Sequence, residues 1–227
     1  TGSDNIAIGS YHVGSRNAAL YANTTGYQNN AVGISSLTNN TTGYSNNAYG
    51  FDALASNTTG NNNIAVGDGA LRANTTASNN TAVGYQAGYS SNSGSGVCAV
   101  GYQAMYNNTN GDCTAMGVQA SYANTTGSAN ASFGYFALKA NTTGGFNTAI
   151  GANALYSNTT AYRNTAVGYQ ALLNNQTGNK LVAVGYGVLA NNTVDHNTGV
   201  GSQALAATTT GQYNTRSEEH TSELQSH

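Results

Sequence analysis

The sequence predicts an all-β chain wound as a parallel β-solenoid, about one coil per 17-residue repeat. Three observations predict it. A 17-residue pattern, N-T-A-V-G-Y-Q-A-L-x-x-N-T-T-G-x-x, recurs along the chain. Each repeat carries an apolar residue before one glycine and a Leu or Met soon after it, too little to build a core alone but enough for a stack. The composition is extreme: 34 Asn, 29 Gly, no Pro and only 6% charged residues, against roughly 25% charged in an average soluble domain. Such a composition does not build an ordinary enzyme fold. It also lacks the net charge and proline of a disordered tail. The formal net charge of −2 leaves no basic footprint for nucleic acid. No apolar run approaches the ~18 residues of a membrane helix, so no membrane insertion is expected. Residue 1 is Thr, and the chain is read as a fragment with both native ends missing.

The glycine after the apolar residue anchors each repeat. The anchors are Gly33, Gly50, Gly67, Gly84, Gly101, Gly117, Gly134, Gly151, Gly168, Gly185 and Gly201. Eight of the ten intervals are 17 residues and two are 16. An earlier anchor, Gly9, stands 24 residues before Gly33. The extra seven residues are assigned to an insert at 10–16, because the pattern resumes at Asn17.

Val, Thr and Tyr in T-A-V-G-Y favour strand, and a central glycine opposes helix. T-A-V-G-Y is therefore read as one short strand and Q-A-L-x-x as a second. N-T-T-G is read as a turn, where Asn and Gly accept positive φ. The apolar column before the anchor, with Val167 and Val184, is expected to point into the core beside Leu172 and Leu189. At about 4.8 Å per coil, twelve anchored repeats predict a rod roughly 55 Å long.

Side chains alternate along a strand, so the Ala two residues before each anchor shares a face with the anchor glycine. Ala82, Gly84, Ala99, Gly101, Ala149 and Gly151 belong to this strip of small residues. Small residues suit a face that another backbone approaches closely. The strip is read either as a contact between the chains of a homotrimer or as close packing inside a narrow single coil.

The segments Asn5-Ile6-Ala7-Ile8-Gly9 and Asn147-Thr148-Ala149-Ile150-Gly151 resemble the S-V-A-I-G core of YadA-like head repeats. Those repeats form the heads of trimeric autotransporter adhesins and occur in phage tail fibres. The resemblance spans Asn5 to about Asn214. It implies a left-handed parallel β-roll, three chains side by side, and an extracellular place on a bacterial surface or a phage virion. This repeat is longer at N-T-T-G than the typical head repeat. Residues 1–215 are read as the repeat domain. Residues 216–227, RSEEHTSELQSH, resemble a translated sequencing adapter and are read as a non-native tail; all three glutamates of the chain lie there.

Little in the chain suits catalysis. His12 and His196 have no second ligand at metal spacing, the five Asp of residues 1–215 are scattered, and no G-x-S-x-G elbow occurs. The expectation is a non-enzyme with no cofactor and no metal. Cys98 and Cys113 fall on neighbouring coils, offset by one position. That offset points them to opposite faces, so they are read as unpaired buried thiols. The repeated Asn-Thr-Thr matches a glycosylation sequon, but a turn stacked into side-chain ladders explains its regularity. Tyr85, Tyr102, Tyr135, Tyr169 and Tyr186, with Gln86, Gln103 and Gln170, are the candidate ligand surface for a cell-surface glycan or protein receptor. The alternative is a tyrosine ladder packed coil to coil. The functions weighed are an adhesive or receptor-binding fibre segment, a purely structural spacer, and an ice-binding solenoid. Thr placed mostly in turns counts against the last.

Overall fold

A computed structural model describes residues 2–9 and 17–217. Among them are thirteen strands of three residues each, from Ile6–Ile8 to Thr215–Ser217, and no helix. All thirteen form one parallel sheet whose strand order follows the chain. Ala7 pairs with Ala31, Ala31 with Ala48, Ala48 with Ala65, and so on. The fold is a β-solenoid with about 17 residues per turn, as the repeat predicts.

The 16-residue repeats lose their residue at one place. In a regular coil the buried Asn of N-T-T-G donates its Nδ2 to the carbonyl three residues on, as Asn124 does to Gly127 at 2.9 Å. In the two short coils Asn108 and Asn192 reach only two residues on, to Asn110 and Val194. The turn absorbs the deletion and the strand register survives. At the other end of the chain, the proposed insert at 10–16 lies outside the described residues. Ala19 and Leu20 occupy buried positions like Ser36 and Leu37 in the next coil, so the pattern does resume after it.

The interior differs from expectation in two ways. First, Q-A-L-x-x is not a strand. It is a run of consecutive turns: Ala53 N–H bonds Gly50 O, Ala55 N–H bonds Asp52 O, and Asn57 N–H bonds Leu54 O. Asp52 and Leu54 both sit at positive φ, 54° and 51°. Alternating handedness turns neighbouring residues Ala53 and Leu54 inward together, and both are fully buried. A strand would have put them on opposite faces. Each non-glycine residue held there costs about 1–2 kcal/mol, offset by the hydrogen bonds each coil makes to the next.

Second, the strand faces are inverted. Val167 and Val184 do not enter the core; they are half-buried on the outer face, and Val66, Val83, Met116, Ile150 and Val200 are exposed there. The Ala column points inward: Ala82, Ala99, Ala149, Ala166 and Ala183 are fully buried. The Ala-Leu pair from the turns fills the coil, so only a methyl group fits beneath the strand. Leu172 and Leu189 are in the core as expected.

The anchor glycines are required twice over. Gly134 has φ +139°, and a Cβ on it would stand 2.7 Å from the carbonyl of Gly151 in the next coil.

Candidate functional site

The strip of small residues belongs to the inside of one chain. Ala82, Ala99 and Ala149 have no exposed surface, and Gly84, Gly101 and Gly151 face the glycine of the following coil. Ala82, Ala99 and Ala149 therefore have no face to give a sister chain, and their assignment as a trimer contact is corrected; Gly84, Gly101 and Gly151 stay partly exposed. The closely approaching backbone is the chain's own next coil.

What the sheet turns outward is a pair of columns. One runs Tyr49, Val66, Val83, Val100, Met116, Phe133, Ile150, from partly to well exposed; the other runs Asn47, Ile64, Thr81, Cys98, Thr114, Ala131, Thr148. Thr81, Thr114, Thr148, Thr165 and Thr198 do lie on this strand face, but Ile64, Cys98, Ala131 and Val182 interrupt them. Among the described residues this face has no unbroken threonine array.

A second side of the coil carries the aromatic columns. Tyr85 and Tyr102 stack with centroids 5.5 Å apart, and both are about half exposed. Beside them Gln103 Nε2 donates to Gln86 Oε1 at 2.9 Å, and Gln119 Nε2 to Gln103 Oε1 at 2.9 Å. Coil spacing of about 4.8 Å suits both ring stacking and amide ladders. The expected Tyr85, Gln86, Tyr102 and Gln103 are thus brought together. Tyr169 and Tyr186 stack separately at 5.7 Å, with Gln170 next to them in the chain. Tyr135 has Val118 and Ala152 at its place in the coils on either side, and it tilts against Phe136 at 3.8 Å.

A further ladder was missed. Tyr89, Tyr106 and Tyr122 stack at 4.9 and 5.3 Å, each five residues after its anchor, which is the signal that could have revealed it. Burial pushes the Tyr106 phenol above its ordinary value. Cations bracket the ladder in the same column. Arg72 lies over Tyr89 at 5.7 Å and pairs with Asp52 at 3.2 Å, a hydrogen bond that raises its pKa further. Lys139 lies 3.9 Å over Phe136. A shallow groove of about 410 Å³ opens between Asp52, Asp68, Arg72, Tyr85, Gln86 and Tyr89. Ring faces can take the apolar side of a sugar, and the amides its hydroxyls.

The N-T-T-G asparagines form a buried ladder. Asn57 Nδ2 donates to Asn40 Oδ1 at 2.8 Å, and Asn141 Nδ2 to Asn124 Oδ1 at 2.7 Å; all four are fully buried. A sugar has no access to them in the folded coil. A second buried ladder stands four residues before the anchors: Asn46 accepts from Asn63 N–H at 3.0 Å and donates to Gly60 O at 2.8 Å. Cys113 occupies that column and its Sγ bonds Gly127 O at 3.3 Å, in the place of an amide. Cys98 is also unpaired and points outward, partly exposed rather than buried.

Among the described residues no three His, Cys, Asp or Glu gather as a metal site, and no helix is long and apolar enough to cross a membrane. His12 and residues 218–227 lie outside them. The proposed tail boundary falls within the last strand, where Arg216 pairs opposite Gly199. No protein-family model, curated protein or solved structure matches the chain.

Proposed function

We propose that this chain is a non-catalytic segment of an extracellular fibre or head, similar to YadA-like head and tail-fibre repeats, that assembles as a homotrimer and binds a cell-surface receptor. One observation carries the reading: the sheet turns outward a lengthwise column that is apolar or aromatic from coil to coil, with Val66, Val83, Met116, Ile150 and Val200 exposed on it. A strip three residues wide and twelve coils long covers about 600 Å², so three strips closing on one axis bury about 1,800 Å² in all. That total is the size of one standard specific interface, shared among three contacts. Assembly through this face would leave the tyrosine and glutamine ladders on another side, free to meet a glycan or protein. The place of action would be a bacterial surface or a phage tail fibre.

The test is binding of the purified chain to glycan arrays and candidate host cells, with Tyr85→Ala/Tyr102→Ala beside it. Retention lost in the double variant supports adhesion through this face. A chain that binds nothing, while still assembling, acts as a structural spacer instead.

A further inference from the structure

One column of the solenoid changes character in its last coils. The position five residues before each anchor is held at positive φ throughout, by Gln28, Ser45, Asn62, Asn79, Gly96, Asp112 and Ala129 in the early coils. From there it reads Phe146, Arg163, Lys180, His196 and Tyr213, still at φ 56° to 62°. Gly, Asn, Asp and His are the cheapest residues in that conformation, so Phe146, Arg163, Lys180 and Tyr213 depart from what the backbone favours. Two cations sit there on adjacent coils, in a chain with five Lys and Arg before residue 216. Like charges so placed repel.

The two cations edge a groove of about 370 Å³ lined by Phe146, Tyr162, Arg163, Asn179, Lys180 and Asp195. Phe146 and Tyr162 are exposed, at 60% and 48%. Neither Arg163 nor Lys180 is ion-paired with Asp195. The Asp195 carboxylate is turned to Asn179, accepting its backbone N–H at 2.7 Å and its Nδ2 at 3.2 Å through Oδ1. Lys180 Nζ lies 3.3 Å from His196 Nε2, and His196 Nδ1 is buried without a partner. The groove therefore holds two cations outside any ion pair, two ring faces and one carboxylate.

We infer that this groove binds an acidic saccharide through its sugar carboxylate. The Arg163 fork and Lys180 take the carboxylate, the Phe146 and Tyr162 rings cover the apolar face of the sugar, and Asp195 accepts from a neighbouring hydroxyl. Asp195 also selects charge: it opposes a doubly charged phosphate monoester more than a single carboxylate. This site is separate from the Tyr85–Tyr102 face, and it rests on the adhesive reading of the molecule for its purpose.

Calorimetric titration of the full chain with 3′-sialyllactose, a non-sulfated glucuronate disaccharide and lactose tests it. At least one acidic probe should bind at least tenfold more tightly than lactose, and which one binds identifies the source of the carboxylate. That affinity should fall as salt rises, a readout needing no substitution. Arg163→Gln/Lys180→Gln, with its fold checked by circular dichroism, should lower it at least tenfold, whereas Asn107→Ala, away from both grooves, should leave it unchanged. Equal binding of lactose, no binding of either acid, or affinity indifferent to both salt and the double variant overturns the inference. Neutral glycans or cells held through Tyr85 and Tyr102 would leave the adhesive reading standing while this site falls.

Discussion

Ser121 and Ser132 meet inside the coil, Oγ to Oγ at 2.9 Å. Ser121 stands where most coils have Leu, and Ser132 where most have Ala. The two departures fall together and satisfy each other. They also mark the break between two hydrophobic clusters, one ending at Ala120 and the other beginning at Ala137. Ser132→Ala alone leaves the Ser121 hydroxyl buried without this partner and should cost about 1–3 kcal/mol. Ser121→Leu/Ser132→Ala restores the common pair and should be at least as stable as the parent. A urea double-mutant cycle measures the coupling.

Val188 and Gly199 are a steric version of the same compensation. A Cβ on Gly199 would stand 2.6 Å from Val188 Cγ1. Gly199→Ala should destabilise by about 1–3 kcal/mol through overpacking, and adding Val188→Ala should recover most of it. Thermal unfolding of the three variants checks this.

The asparagine ladder makes a sharper prediction. Asn124 donates to Asn108 Oδ1 and Gly127 O, and accepts from Asn141. Asn124→Ala strands partners on both sides and should lose about 2–4 kcal/mol, more than one unmade buried hydrogen bond. Asn107→Ala, outside the ladder, should lose much less in the same denaturant titration.

The two thiols should behave differently. Cys113 is buried and its burial, the largest cause, raises its pKa; Cys98 is partly exposed. A thiol-specific reagent should label Cys98 in the native chain and both after unfolding. The sign for stability follows from the raised value. The contribution of Cys113 is fully present below the ordinary thiol pKa of about 8.5 and is lost as pH rises through the folded value. Cys113→Ser should flatten the alkaline fall in stability, followed by melting temperature against pH.

Much of the fold was legible because a coil repeats its environment. Every column read from the sequence, the Leu of Leu172, the Ala of Ala166, the Asn of Asn141, occupies one kind of place throughout. The alternation rule correctly put Ala166 and Val167 on opposite faces. It could not say which face was inside, because coil width is set by the turns and not by the strand. Two neighbouring inward residues, Ala171 and Leu172, fill the interior and exclude Val167. The turn run itself was hidden because Gln and Leu are not residues that announce positive φ. Of the candidate site, Tyr85, Gln86, Tyr102 and Gln103 were legible, while Tyr89, Tyr106 and Tyr122 were overlooked as unassigned positions of the repeat.

Assembly through the outward sheet face is the central claim, and the mass of the chain in solution tests it most directly. Light scattering or sedimentation at micromolar concentration should give three chains of 23.1 kDa. Val83→Glu/Ile150→Glu, which places charges on that face without touching the interior, should give a folded single chain. A parent chain that runs as a stable folded monomer at the same concentration contradicts the claim.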